Sequence, residues 1–380
     1  MKEQGLEGSF WPSERQKLLL RTAFAGGEAS AAAWRSLRPR LDLDRLELGS
    51  FPLLPLVHRQ LERFGVEDPY LPRLAGIRRR TWYLNQLQLD ALAPALRVLV
   101  DAGGEPVVVG GWQFPARYYD GDFGLRPVEG LEVLVRPGHM DACTRALEAH
   151  GFVRSRGAAG GVAYLVGPNG HTCTLQDRFA REFSVPERGI DLEDPWDETI
   201  EISLGETRTR VLAPSDELVR LCLAGARATV PPNVLWLADA LAVLQASGAA
   251  LDWERVARHA LRLRAMLRLR DALVYLRCEL DVAVPEAVVS ELEATPPRSR
   301  ELLAHKKAGR SRWPSTATRF LHVTSDRSLP AALVELPAFL RDELGLKRRG
   351  QVPLEVARRA ATRIRTLPRA RAGRPTVEAK

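Results

Sequence analysis

The chain has 380 residues, of which 45% are hydrophobic and 27% are charged. This composition is ordinary for a globular protein, and the length is enough for about two or three domains. No run of roughly 18 apolar residues occurs, so the sequence predicts no transmembrane helix. The N-terminal residues lack the apolar stretch of a signal peptide. We therefore expect a cytoplasmic protein with no membrane partner.

The positive charge is concentrated at the C-terminal end. The whole chain has a net charge of +8, while Lys347 to Lys380 hold eleven Lys or Arg and two Glu, a local charge of +9. The remainder therefore carries −1, the difference between these two values. A basic segment with few large apolar residues is typical of a flexible tail. We expect residues 346–380 to form such a tail, which can contact anionic partners.

Residues 1–103 are predicted to form an N-terminal helical region. The segment "SERQKLLLRTAF" begins with Ser13, which can cap a helix, and Gln16 completes a capping box. Helical spacing of apolar residues recurs in "ASAAAWRSL", in "FPLLPLVHRQLERFG" and in a long stretch that follows. We expect that last helix to be kinked or broken near Pro94 and to stop at Gly103-Gly104.

Residues 104–212 show a different pattern. "PVVV" predicts a buried strand, Gly110-Gly111 a turn, "WQFPARYY" a short helical turn, and "LEVLV" a second strand. On the second strand, Glu132 and Leu134 share one face, and Leu131, Val133 and Val135 share the opposite face. "VAYLV", "GPNG" and "HTCTL" predict a β-hairpin with a four-residue loop, and "TRTRVL" predicts another strand.

Residues 213–345 are predicted to be helical again. Four amphipathic segments follow one another, in which Gly248 ends the second and Asp252 caps the third. Helices, then a small sheet with a hairpin, then helices again predict an α+β fold. No glycine-rich dinucleotide motif follows a strand and no P-loop occurs, which argues against a Rossmann dehydrogenase or a P-loop kinase.

Several segments occur in an order that resembles a bacterial family of uncharacterised nucleotidyltransferases, within the broad DNA polymerase β-like nucleotidyltransferase superfamily. They are "FPLLPLVHRQL", "VVVGG", "YYDGDFGLRP", "LEVLVRP", "LEAHGF", "PSDELVRLCLAG" and "WLADALAVL". The resemblance extends from about Ser13 to Leu292. It implies a small mixed β-sheet nucleotidyltransferase-like core, flanked by N-terminal and C-terminal helical regions. It also implies Mg²⁺ and an NTP if the protein is active.

The resemblance assigns roles to particular positions. Members of the family carry Lys-Gly after the first strand, Arg-Pro before the second strand, and Asp-x-Asp on the second strand. This chain has Gly110-Gly111, Arg126-Pro127, and Gly130 with Glu132 at these places, and Thr174 where a third acid is expected. Gly110, Gly111 and Arg126 are therefore expected to bind substrate. Two of the three expected metal-ligand acids are missing.

The missing acids matter because nucleotidyl transfer relies on Mg²⁺ to stabilise charge on the attacking and leaving oxygens. Mg²⁺ requires oxygen ligands in a tight octahedron, and Glu132 alone provides one carboxylate. Three neighbouring acids can substitute. A bulge at Gly130 could turn Glu129 to the face of Glu132, and Asp120 and Asp122 could reach the site from the preceding loop. If these acids are not used, they solvate the loop or pair with Arg126 at the surface.

Three hypotheses follow. The first is a catalytically degenerate protein that binds a nucleotide, a small-molecule or peptide substrate, or a protein partner in the retained cleft. The second is an active nucleotidyltransferase that moves NMP onto a small molecule or peptide. In that case Glu132, Asp120 and Asp122 hold the metal, with Glu129 as a further replacement. The third is a nucleic-acid or scaffold protein that works through its basic tail, which the near-neutral body disfavours. The sequence favours the first hypothesis.

Overall fold

A computed structural model describes most of the chain. The described residues are 11–47, 49–155, 161–179, 195–225, 234–263, 265–297, 301–302, 305, 320, 329–344, 346 and 348–358. Those that belong to Met1–Arg156 and Gly161–Arg327 form one compact unit. The predicted domain boundaries at residues 103 and 212 fall inside this unit and stay predictions.

Four α-helices precede the sheet. They are α1 (Glu14–Phe24), α2 (Gly27–Leu37), α3 (Leu54–Arg63) and α4 (Leu71–Asp101). Ser13 and Gln16 form the predicted capping box at the start of α1. Of the kink or break predicted near Pro94, the break does not occur, because α4 continues through this proline as one helix of 31 residues. Packing of its buried face against the sheet outweighs the hydrogen bond that a proline removes.

Within the described part of the chain, seven strands form one mixed sheet in the order β3-β4-β5-β2-β1-β7-β6. The strands are β1 (Val107–Val109), β2 (Leu131–Leu134), β3 (Val153–Arg154), β4 (Val162–Val166), β5 (Thr172–Gln176), β6 (Ile200–Leu204) and β7 (Thr207–Val211). A π-helical turn at Phe114–Tyr118 lies between β1 and β2, and α5 (Met140–Ala149) follows β2. The predicted α+β class with a small mixed sheet is confirmed.

The hairpin predicted from "VAYLVGPNGHTCTL" is formed by β4 and β5. Its loop spans residues 167–171, one residue more than predicted, and Gly167 N donates to His171 O at 2.8 Å. The sequence analysis missed the edge strands β3 and β6. Strand β3 has only two residues, and β6 is mostly exposed, so neither shows a clear apolar pattern.

The two faces of the sheet pack against different helices. Val108, Leu131 and Val133 lie in one apolar cluster with the C-terminal half of α4 and with α5. Val107, Val109 and Leu134 lie in the other, with helices from both ends of the chain. The alternation predicted for β2 is therefore confirmed. It places Glu132 on the same face as Leu134, towards the larger helical cluster.

The C-terminal helices of the compact unit cover this second face. They are α6 (Pro214–Gly225), α7 (Leu235–Ser247), α8 (Trp253–Arg262), α9 (Met266–Leu280) and α10 (Glu286–Ala294). The Asp252 side chain caps α8 by accepting from Arg255 N at 2.8 Å, as predicted. Gly248 ends α7 with a positive φ of 47°, also as predicted.

A second unit contains residues 328–380. It includes helix α11 (Leu329–Glu343) and a 3-10 turn at Arg349–Gln351. Residues 359–380, which hold much of the predicted basic tail, lie outside the described residues. Among the helices that the structure describes, none is long and apolar enough to cross a membrane.

Candidate functional site

The centre of the predicted site lies on three neighbouring strands. In the sheet register, Glu132 on β2 pairs with Val109 on β1 and with Thr174 on β5. Residues paired across adjacent strands point to the same face. The structure thus places Thr174 directly beside Glu132, where the resemblance expected a third acid. The threonine contributes a neutral hydroxyl at this place.

The Gly110-Gly111 turn lies against two other predicted site residues. Gly110 has a φ of +77°, and a Cβ built on it would lie 3.1 Å from Glu132 Oε2. A Cβ on Gly111 would lie 2.3 Å from an Arg126 guanidinium nitrogen and 2.8 Å from Val128 Cγ1. The turn therefore requires glycine at Gly110 for its backbone and at Gly111 for space. Glu132 and Arg126 lie on either side of this turn.

Gly130 lies where the resemblance predicts the first Asp of the motif, and its surroundings leave no room for a side chain. Its φ is +69°, and a Cβ there would lie 2.2 Å from Thr172 Oγ1 and 2.9 Å from Thr172 O. The Gly130 carbonyl accepts from Trp112 Nε1 at 2.6 Å, and its N–H donates to Gln88 Oε1 at 3.2 Å. The backbone is held on both sides, so an aspartate here requires β5 or the chain before β2 to move.

We expect Gly130→Ala to destabilise the protein more than Gly170→Ala. Both glycines have a positive φ, +69° and +79° respectively, but the space around Gly170 is open. Gly170→Ala is expected to cost only the left-handed backbone, about 1–2 kcal/mol. Gly130→Ala is expected to cost roughly 1–3 kcal/mol more because of the overlap with Thr172. Urea denaturation of both variants measures the difference, and equal midpoints would show that β5 yields freely at this point.

Arg126 is not a surface residue, and its predicted surface pairing with a loop acid is wrong. The side chain is buried and makes two hydrogen bonds to Asp239 on α7, Nε to Oδ1 at 2.8 Å and Nη2 to Oδ2 at 2.7 Å. Burial lowers the pKa of this guanidinium, but attraction to Asp239 outweighs burial and raises the pKa overall. This ion pair joins the loop before β2 to helix α7. Asp239 neutralises most of the Arg126 charge.

A second ion pair lies on α6 near Glu132. Arg220 donates to both carboxylate oxygens of Glu217, at 3.0 and 2.6 Å, and Glu217 is fully buried. Burial lowers the pKa of Arg220, but attraction to Glu217, Glu132 and Asp239 raises it overall. Arg220 therefore attracts Glu132 while it is itself paired with Glu217.

The three acids predicted as substitutes are held elsewhere or point to solvent. Asp122 accepts from Arg78 on α4 at 2.5 Å and from Gly124 N at 2.7 Å. Asp120 has a φ of 54° and is exposed, and Glu129 is also exposed. In the part of the chain that the structure describes, no group of three or more His, Cys, Asp or Glu side chains could hold a metal ion.

The sequence did not reveal two ion pairs near the predicted site, Arg126 with Asp239 and Arg220 with Glu217. Two signals pointed to them. Asp239 is the single charged residue in the apolar helix "LWLADALAVLQAS", and a lone acid in such a context needs a buried partner. Glu217 and Arg220 have the i, i+3 spacing of a helical ion pair. Neither signal indicates which distant residue completes the network.

A large cavity lies away from all of these residues. It has a volume of about 770 Å³ and is lined mainly by apolar residues of α1, α2, α7 and α9, among them Leu18, Phe24, Ala33, Leu241 and Leu280. None of the predicted site residues lines it. The cavity therefore gives no support for a nucleotide site at the Gly110-Gly111 turn.

The mixed sheet with helical flanks and the turn between β1 and β2 define the class of the protein as a nucleotidyltransferase fold. The sequence profile described as "uncharacterised nucleotidyltransferase" matches residues 52–281, which is more than half of the chain. The chain therefore belongs to this family. Neither the curated proteins nor the solved structures include a significant match to the chain.

Proposed function

We propose that this protein is a nucleotidyltransferase-fold binding protein that does not carry out metal-dependent nucleotidyl transfer. The packing around Gly130 is the observation that carries the proposal. A Cβ at Gly130, which the resemblance aligns with the first Asp of the motif, would lie 2.2 Å from Thr172 Oγ1, and this supports the absence of a metal ligand at this position. A glycine offers no ligand, and the neighbouring Thr174 offers no charge.

The charges around Glu132 also fit Mg²⁺ poorly. Mg²⁺ prefers several oxygen ligands, whereas the described residues hold no group of three or more His, Cys, Asp or Glu side chains that could bind a metal, and Arg220 attracts Glu132. The residues that are present do not fit the metal, and we derive no transfer step through it.

An anionic ligand is the occupant that the remaining features support. The backbone of the Gly110-Gly111 turn allows close approach, and Arg126 lies over Gly111. We propose a nucleotide or another phosphate-bearing small molecule or peptide as the ligand. Because Asp239 neutralises most of the Arg126 charge, we expect the affinity to be modest and independent of Mg²⁺.

The Glu132→Gln variant separates this proposal from its alternative, an active enzyme with a rearranged acid set. Loss of the Glu132 charge removes an anion that lies beside the Gly110-Gly111 turn, so binding of an NTP is expected to strengthen several-fold. In an active enzyme the same change removes a metal ligand, and binding and pyrophosphate release are both expected to fall. Calorimetric titration with each NTP, in Mg²⁺ and in EDTA, measures the sign of the effect.

Glu254→Gln is the matched control, because Glu254 lies on α8 with its side chain 90% exposed. It is expected to leave the affinity unchanged. Pyrophosphate release by the natural protein that disappears in Glu132→Gln would establish the alternative, and its loss in Asp122→Asn or Glu129→Gln would identify the replacement ligand. Failure of every NTP to bind would refute the nucleotide ligand.

A further inference from the structure

The outer face of α4 carries an unusual concentration of exposed apolar side chains. Trp82, Tyr83, Leu84 and Leu87 are exposed to 49%, 57%, 41% and 46%, and they lie within six consecutive residues. Soluble proteins rarely expose such a cluster unless it binds a partner. Trp and Tyr are also the residue types most enriched at the energetic centres of protein interfaces.

The exposed residues of α4 follow a regular spacing. We call the α4 seam the series Gly76, Arg80, Tyr83, Leu87, Asp90 and Pro94, all of which are exposed. The steps between them alternate between four and three residues. This alternation keeps a set of side chains on one line of a helix that packs against another helix. A helical stretch of 19 residues from 76 to 94 is about 27 Å long.

The α4 seam is symmetric about position 85. Two copies of α4 can be placed antiparallel with a two-fold axis at this position. Each residue then faces the residue of the second copy that lies equally far from position 85 on the other side. Tyr83 then meets Leu87 of the second copy, and Arg80 meets Asp90 of the second copy. Gly76 meets Pro94, so the ends of the seam present small side chains that allow close approach.

We propose that the protein forms a two-fold homodimer through the α4 seam. A two-fold interface must be self-complementary, and the seam provides two Tyr83–Leu87 contacts and two Arg80–Asp90 ion pairs per dimer. Among the described residues, neither Arg80 nor Asp90 forms an ion pair within its own chain. A partner with a purely acidic surface would leave Asp90 facing like charge, so a second copy fits the seam better.

The opposite face of α4 keeps the seam rigid. Asn85 is buried and its side chain holds the loop before β2, with hydrogen bonds of 2.7 Å to Phe123 O, 2.7 Å to Arg126 O and 3.1 Å from Val128 N. A preorganised surface loses less conformational freedom on association. Association through the seam would therefore involve no refolding of the helix.

A charge exchange tests the pairing. The wild-type chain is expected to dimerise in sedimentation experiments as its concentration rises towards about 100 µM. Arg80→Asp places two acids opposite each other at both ends, and Asp90→Arg places two arginines there, so each single variant is expected to be monomeric. The double variant Arg80→Asp with Asp90→Arg restores both pairs in reversed order and is expected to dimerise again.

Arg145→Asp makes the same charge change on an exposed residue of α5 and is expected to leave dimerisation intact. Circular dichroism checks that each variant is folded. A wild-type chain that stays monomeric over the whole range refutes the proposal. It is equally refuted if either single variant dimerises normally, or if the double variant remains a monomer.

Discussion

Asp239→Asn is expected to destabilise the fold by about 3–5 kcal/mol, because it leaves the Arg126 guanidinium buried without a counter-charge. Asp239 is 2% exposed and Arg126 8% exposed, so water cannot replace the lost partner. The two hydrogen bonds of 2.8 and 2.7 Å join residues 113 positions apart in the chain. Their loss would loosen the contact between the strand β2 region and α7. Guanidinium denaturation followed by circular dichroism measures the change.

Replacing both members of this pair is the informative control. The double variant Arg126→Met with Asp239→Leu removes both charges, and such replacements cost less than the loss of one partner. We expect the double variant to be more stable than Asp239→Asn. If the double variant is the less stable of the two, the pair contributes through its geometry rather than through charge compensation.

Asp216→Asn is the second substitution with a large expected effect, again about 3–5 kcal/mol. Asp216 is fully buried in the first turn of α6, and two side chains of α8 bind it. Arg255 donates at 2.6 and 2.8 Å, and His259 Nε2 lies 2.9 Å from Oδ1. The cluster joins α6 to α8. Thermal unfolding at pH 7 compares the variant with the natural chain.

Glu198→Gln is the matched control for the Asp216 cluster. Glu198 also pairs with Arg255, at 3.1 Å, but its side chain is 54% exposed. Its replacement is therefore expected to cost only about 0–1 kcal/mol. An equal loss in the two variants would show that the burial of Asp216 adds nothing.

The contribution of Asp216 should depend on pH in the acid range. Burial raises the pKa of this carboxyl, but the hydrogen bonds from His259 and Arg255 outweigh burial and hold the pKa below its usual value of 3.8. A carboxyl with a lowered pKa stabilises the fold fully above its unfolded value and loses this contribution as the pH falls through its folded value. The difference between the natural chain and Asp216→Asn should therefore shrink as the pH falls below about 3.8. A difference that grows in acid would contradict the assignment.

Local features of the sequence predicted much of the fold. The capping box at Ser13, the cap at Asp252 and the end of α7 at Gly248 are all found. Each depends on groups within about four positions along the chain, where backbone hydrogen bonds act. The alternation in "LEVLV" gave the correct faces of β2 for the same reason, since side chains on a strand alternate strictly.

The sequence also located the pieces of the candidate site, because family membership fixes their order along the chain. It identified the turn at Gly110-Gly111, the strand that holds Glu132, and Thr174 on a later strand. The predicted consequences for catalysis and for metal binding stay predictions. Strand β3, which the sequence did not predict, and the continuity of α4 through Pro94 show where local patterns fail, namely in very short or strongly packed elements.

Only the tertiary structure decided which side chains surround that site. Arg126 was expected to meet a phosphate or a nearby acid, yet it binds Asp239 on a distant helix. The sequence showed that Gly130 stands where the resemblance predicts an aspartate. The structure shows that Thr172 occupies the space that a side chain at this position would need. Such contacts arise from the packing of α6 and α7 against the sheet, and they join residues that no local hydrogen-bond rule connects. The sequence by itself determined the elements and the chemical groups available, whereas packing decided which charges neutralise each other.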